Sequence, residues 1–319
     1  MKFLVPQGIG DSVWCLLKME DANRKLGGGP IDVRIACMNN QSLEECRAME
    51  FISRFGFVNS VAMYQMPRFG QGGAALAHGP AADPDGYYRY LPDGTQLKPV
   101  LGDIDYVMMP NAPLERGVRL ENWLPQFDIN WDIMTRFSFS AGEREMACSH
   151  RPYALFYCGS VTGNTTAGHN RNGLWTPADW VKMGDHVRSM GLDVVVVGAA
   201  YDRAYYDSHV RPLLGDPWED MIGHLSIGGT LALAQQAKFV LSYQSGIGIV
   251  ASYLGTPVGI FWRAKGDSIS STEHISFDEG MASAWVAPRM IEAGKHLPLI
   301  YGRHGTDYIA DQIKERKWV

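Results

Sequence analysis

Short apolar runs alternate along this chain with stretches of helical periodicity. Residues 2–5 form the first run. The turn Gly8-Ile9-Gly10 follows, then a helical pattern over 11–26 that opens on Asp11-Ser12, short polar side chains suited to capping free N–H groups. The pattern next predicts a strand at 33–38 and a helix at 42–54, with Ser42-Leu43-Glu44-Glu45 as a capping box. Strands are expected at 57–64 and 106–109, and a helical segment at 114–123. Residues 125–152 lose any clear period, and a domain boundary is placed there, giving domains 1–150 and 151–319.

The second half restarts with a strand at 153–158 and a polar loop at 159–173. A helix at 177–190, a strand at 194–197, and helices at 202–213 and 230–237 come next. The clearest unit is 239–262, an apolar run, the small-residue turn Ser242-Tyr243-Gln244-Ser245-Gly246, a helix-like run ending in Leu254-Gly255-Thr256-Pro257, and a second apolar run. Strand–helix alternation in both halves points to an α/β fold of two Rossmann-like domains with parallel sheets facing a central cleft. Ligands of such sheets bind beyond the carboxyl ends of the strands. Segment 67–100, rich in Gly, Pro and Ala, reads as an insertion or mobile loop near that cleft.

Composition narrows the class. With 319 residues, 46% hydrophobic and 20% charged, the chain has the make-up of a soluble globular protein, long enough for two domains. No apolar run reaches the roughly 20 residues of a membrane span, and the start lacks the apolar stretch of a secretory signal. Five cysteines without a C-x-x-C pair disfavour a zinc site or disulfide framework, so a cytoplasmic location is expected. A net charge of -5 argues, weakly, against general nucleic-acid binding.

Three constellations could carry chemistry. In the first, Gly8, Gly10 and Ser12 would line a ligand approach, and Asp11 is either a helix cap or a general base that takes a proton from a hydroxyl. Val13 stands where a dinucleotide fingerprint would have its third Gly, which disfavours a nicotinamide enzyme. In the second, the loop holding Ser160, Thr162 and Arg171 can hydrogen-bond phosphate or sugar oxygens, or serve only as a solvated connection. In the third, Gln244, Ser245, Gly246 and Ile247 place backbone N–H groups at a helix N-terminus, a favourable phosphate position. The triplets Asp83-Pro84-Asp85 and Asp103-Ile104-Asp105 are read as structural, so no metal is expected. Neither a Gly-x-x-x-x-Gly-Lys-Ser/Thr loop nor a Gly-x-Ser-x-Gly elbow occurs.

Taken together, Gly10-Asp11-Ser12-Val13, Leu174-Trp175-Thr176-Pro177, the strand running into Gly198, and Ser245-Gly246 with Leu254-Gly255-Thr256-Pro257 resemble glycosyltransferase family 9, the ADP-heptose:lipopolysaccharide heptosyltransferases. The resemblance spans most of the chain. It implies the GT-B fold and a metal-independent inverting transfer from a nucleotide-sugar to a hydroxyl, with no further cofactor. Asp11 would be the catalytic base. Ser160, Thr162, Arg171, Gln244, Ser245, Gly246 and Ile247 would face the donor, and Gly8, Gly10 and Ser12 the acceptor. A C-terminal helix is a candidate to pack back on the first domain.

The acceptor could be a glycan, a lipid-linked sugar or a hydroxymethylated DNA base. The sequence departs from the family at Gln244, where the signature has Asp, and at Ile249, where it has His. No basic residue stands just before the Trp-Pro segment, and only Arg171 is near. These departures point to a diverged member with another donor or acceptor. The alternatives are an inactive nucleotide-sugar-binding protein and a GT-B-like sugar epimerase.

Overall fold

The computed structural model describes residues 1–37, 46–65, 104–110, 113, 118–159, 175–243, 245–262, 283–300 and 303–319. The chain divides into two compact units, Met1–Ser138 and Phe139–Val319.

The first unit is built on a parallel sheet in the order β3-β2-β1-β4. β1 is Lys2–Pro6, β2 Ile31–Cys37, β3 Val58–Gln65 and β4 Tyr106–Val107. Phe3, Leu4 and Val5 are fully buried, so β1 is apolar on both faces, as a central parallel strand must be. The side chain of Asp105 accepts the Lys2 N–H at 2.8 Å and pins β4 beside β1, a structural role for the second acidic triplet. The first triplet, and Asp103, lie outside the described residues.

Helix α1, Ile9–Leu26, crosses from β1 to β2 and ends at Gly27, whose φ of 132° relieves the chain of a side-chain clash at the stop. Helix α2 spans Arg47–Ser53 and is capped by no side chain. It is shorter than the 42–54 expected, and Ser42 to Glu45 lie outside the described residues. Of the segment expected to be helical at 114–123, residues 114–117 lie outside the described set. The rest makes only the 3-10 turn Leu120–Asn122.

Residues 118–138 close the unit. Phe137 bridges to Phe55, and the rings of Phe51, Phe55 and Phe137 meet at centroid distances of 5.3 to 5.6 Å. The buried Lys18 of α1 donates its Nζ protons to the carbonyls of Trp123 and Leu124. Leu124 holds a left-handed φ of 49°, unusual for a branched residue. Asp128 N–H to Asp21 and Asn130 N–H to the Leu17 carbonyl, at 2.8 and 2.7 Å, continue the clasp along α1.

The second unit carries six parallel strands in the order β10-β9-β8-β5-β6-β7. They are β5 Tyr153–Tyr157, β6 Asp193–Val196, β7 Glu219–Asp220, β8 Phe239–Tyr243, β9 Val258–Trp262 and β10 His296–Ile300. Counted from β5, this is the doubly wound order 3-2-1-4-5-6 read from the other edge. The first unit shows the first four places of the same order. The interleaved helices are α3 Ala141–Cys148, α4 Pro177–Ser189, α5 Ile227–Gln236, α6 Gly246–Leu254, α7 Pro288–Glu292 and α8 Thr306–Glu315.

The division between units precedes the expected limit at 150 because α3 belongs to the second unit. Ser140 and Glu143 form its capping box, and Glu143 also accepts from Ser226, the N-cap of α5, at 2.8 Å. The C-terminal helix α8 also lies in the second unit, against α4: Asp307 meets Lys182 and His186, both at 2.9 Å, and Trp318 is buried near Phe239. The helix expected over 202–213 is broken into a 3-10 turn, one α turn, a π turn at Tyr206–Val210 and a final 3-10 turn containing Pro212. Proline removes a backbone donor and clashes with the preceding turn, so a regular helix cannot run through it.

Candidate functional site

In the first unit the chain leaves the carboxyl end of β1 and enters α1 through Gly8. The cap position belongs to Gly8, not to Asp11, and Gly8 has no side chain with which to cap. Asp11 is the third residue of α1 and lies half-buried in the first turn, where the helix dipole favours a negative charge. The expectation that Asp11 itself caps the helix is thereby corrected, because the helix begins two residues earlier, at Ile9. Gly10 and Ser12 are buried. The Ser12 hydroxyl donates to the Pro6 carbonyl at 3.2 Å, so it ties α1 to β1 rather than reaching outward.

In the second unit the order of the strands reverses between β5 and β8, and the carboxyl ends of these two neighbours define the switch point. β8 runs through Ser242 and Tyr243 into the N-terminus of α6. Ser245 is the N-cap; its hydroxyl accepts from the Gly248 N–H at 3.4 Å and meets the Ser242 hydroxyl at 3.1 Å. The Ser245 carbonyl accepts from Ile249 at 3.1 Å. Gly246 and Ile247 occupy the first two helical positions, so helix geometry leaves their N–H groups without an intrahelical acceptor. Gly248 is required here for space: a Cβ on it would strike the Ser242 hydroxyl and lie 3.3 Å from Ile260. At the other end Gly255 takes the left-handed stop with φ 86°, and the Thr256 hydroxyl donates to the Ala234 carbonyl at 2.9 Å. These contacts give Leu254-Gly255-Thr256-Pro257 its local reason.

From β5 the chain passes Cys158 and Gly159 and enters the polar loop. Ser160, Thr162 and Arg171 lie outside the described residues, as does Gln244. The point where the loop re-enters the fold is fixed. Trp175 donates its indole N–H to the His304 carbonyl at 3.1 Å, and its own carbonyl accepts from Tyr243 at 3.1 Å. Trp180 donates to the Tyr243 hydroxyl at 2.9 Å. Thr176 and Asp179 form a capping box with Pro177 at the first helical position. Trp175, Thr176 and Pro177 are thus held firmly where the chain re-enters the described residues.

Asp202 was not singled out from sequence, yet it organises this edge. It is buried and accepts from the Ala199 N–H at 2.8 Å and from the Tyr157 hydroxyl at 3.2 Å. A Cβ on Gly159 or Gly198 would fall within 2.5 or 3.0 Å of its side chain. The carboxylate therefore joins the ends of β5 and β6, and both glycines exist to admit it. The available signal was the pairing of Gly159 and Gly198, two strand-end glycines, with an acidic residue four positions after the second. Cys158, buried beside Asp202, has its thiol pushed well up, first by burial and then by that charge, so it is no nucleophile at neutral pH. Ile249 is 6% exposed, so α6 offers no polar side chain at that position. No group of three His, Cys, Asp or Glu side chains arranged to hold a metal occurs among the described residues. No helix among them is long and apolar enough to cross a membrane.

No protein-family model and no curated protein matches this chain. Solved structures do. ADP-heptose lps heptosyltransferase II of E. coli is similar over 99% of this chain and 98% of its own, with 16% identity and a TM-score of 0.57. The glycosyl transferase family 9 protein from Veillonella parvula DSM 2008 covers 99% and 96%, with 10% identity and a TM-score of 0.57. E. coli heptosyltransferase WaaC with ADP covers 99% and 98%, with 12% identity and a TM-score of 0.53. The chain has the GT-B fold. The unit Phe139–Val319 contains the switch point and the α6 N-terminus, and the unit Met1–Ser138 contains the half-buried Asp11 after β1.

Proposed function

We propose that this protein is a glycosyltransferase that moves a sugar from a nucleoside-diphosphate sugar to an acceptor hydroxyl with inversion. The observation that carries the reading is the α6 N-terminus at the switch point of a GT-B unit, with the N–H groups of Gly246 and Ile247 unpaired in the helix. Such an end binds a diphosphate by its dipole and by direct hydrogen bonds. During transfer, negative charge grows on the departing diphosphate, and preorganised donors stabilise it more than they stabilise the bound sugar nucleotide. Ser160, Thr162 and Arg171, between Gly159 and Trp175 in the sequence, and Gln244, just before Ser245, are proposed to complete the donor contacts.

On the acceptor side, Asp11 takes the hydroxyl proton as the oxygen attacks the anomeric carbon. The bond from that carbon to the diphosphate oxygen breaks, and the nucleoside diphosphate leaves. Each proton and charge is accounted for by these two ends, so the reaction needs no metal in this reading. Gly8, at the start of α1, is proposed to face the acceptor beside Asp11, whereas the buried Gly10 and Ser12 shape the turn beneath. WaaC with ADP makes an adenosine diphosphate sugar the first donor to try. The likeness to the lps heptosyltransferase II of E. coli favours a glycan or lipid-linked acceptor. A DNA acceptor has no support among these structures.

The test combines a thermal-shift screen over ADP-, UDP-, GDP- and CMP-linked sugars with transfer assays on lipid-linked and free glycans. The hit should raise the melting temperature, because it binds only the native state. Asp11→Asn should keep that shift and lose turnover by about 10²- to 10⁴-fold. Full turnover in Asp11→Asn removes Asp11 from the mechanism. A second reading, a nucleotide-sugar-binding protein without turnover, is favoured by the buried Ile249, which leaves α6 without an imidazole. It wins if a sugar nucleotide binds and prolonged incubation yields neither transfer nor hydrolysis.

A further inference from the structure

Gly8 has φ -74° and ψ 134°, an ordinary extended conformation that any residue adopts. Backbone freedom does not call for glycine here, but space does. A Cβ at Gly8 would collide with the Asp11 carboxylate, with Cγ at 3.3 Å and Cβ at 3.7 Å. Side chains in a helix lean toward its N-terminus, so a carboxylate at the third position naturally folds back over the cap residue. In most helices a Ser, Thr, Asp or Asn side chain fills that volume. In α1 the cap has no side chain, and the Asp11 carboxylate fills it instead.

The backbone around this volume has little room to yield. Ser12 N–H donates to the Gly8 carbonyl at 2.8 Å, and Ser12 Oγ to the Pro6 carbonyl at 3.2 Å. Cys15 Sγ donates to the Met108 carbonyl at 3.4 Å, which ties the next turn of α1 to the end of β4. Val13, Trp14, Cys15 and Leu16 are buried behind them. A methyl group at position 8 is therefore accommodated by rotating Asp11 outward, not by moving the helix.

We propose that Gly8 is a positioning residue: its missing side chain fixes the Asp11 carboxylate folded back over the start of α1, and Asp11 acts on the acceptor from that orientation. The inference rests on the assignment of Asp11 as base, but its structural half is measurable without turnover.

The experiment compares wild type, Gly8→Ala and Asp11→Asn. Asp11 is followed by the carboxyl carbon signal of aspartate-labelled protein, identified by its loss in Asp11→Asn. Gly8→Ala should fold normally, since alanine accepts this φ and ψ. Its Asp11 signal should move, because the carboxyl group leaves its place over the start of α1. Its kcat should fall about 100-fold, the typical cost of misplacing a catalytic group by an ångström, while donor KM stays within about twofold. An unmoved Asp11 signal in Gly8→Ala overturns the proposal, and so does a moved signal with unchanged kcat. Turnover retained in Asp11→Asn overturns it by a separate route, through the base assignment, and is recognised as such because the carboxyl measurement does not depend on activity.

Discussion

Lys18 gives the sharpest physical test of the first unit. Its ammonium is buried between α1 and the carbonyls of Trp123 and Leu124, and burial lowers its pKa from 10.5 to about 8, against the opposing pull of Glu121 and Asp128. A lowered folded pKa means the native state holds fewer protons than the unfolded chain between pH 8 and 10.5. Stability contributed by this group therefore rises with pH across that window. The ceiling is the difference of about 2.5 units at 1.36 kcal/mol each, roughly 3 kcal/mol. Solvent reaching the site reduces it, and about 1–2 kcal/mol is the expected size.

Lys18→Met keeps the length of the side chain and removes the titration. Urea unfolding at pH 7.5, 8.5, 9.5 and 10.5 should give a wild-type stability that gains on the variant by that amount. The difference between the two proteins matters, because Tyr153, Tyr205 and Tyr206, whose hydroxyl pKa values burial pushes well up, erode the stability of both above pH 10. The absolute offset at pH 7.5 mixes two lost hydrogen bonds with relief of a buried charge, but the slope does not. Parallel pH curves for the two proteins would refute the burial of a charged Lys18.

Three further outcomes are expected. Asp202→Ala removes the carboxylate that accepts from the Ala199 N–H and the Tyr157 hydroxyl, which costs about 2–4 kcal/mol and should lower the melting temperature by roughly 5–15 °C. It should also weaken donor binding, because the ends of β5 and β6 lose the carboxylate that joins them. Gly255→Ala meets no neighbour within 4 Å but must hold φ 86°, so urea titration should show a loss of about 1 kcal/mol with donor affinity unchanged. Gly248→Val drives methyl groups into Ser242 and Ile260 and should cost about 1–3 kcal/mol or more, and here the nucleotide-induced thermal shift should fall as well, because α6 is pushed off β8.

How far the sequence alone reached depended on where each signal is written. β1, α1, β5, β8, α6 and β9 were legible because an apolar run followed by a small-residue turn and a helical period leaves few alternatives. β10 was missed: His296–Ile300 is five residues long with Pro298 inside, a pattern that argues against a central strand and is tolerated only because β10 is the edge of its sheet. α3 was missed although Ser140 and Glu143 spell a capping box, because its eight residues carry too few apolar positions to show a period. The site divides in the same way. The α6 N-terminus follows from local chain geometry and could be read. The cap at Gly8 could not, since Asp11 is an equally good cap on composition and only the backbone angles at Gly8 decide where the helix begins. Asp202 was the least legible. Its role comes from two glycines at the ends of different strands, and that proximity exists only once β5 and β6 are paired. Local patterns therefore located the N-terminal end of α6, while the residues that set its surroundings were specified by pairing between strands, which no single window of sequence contains.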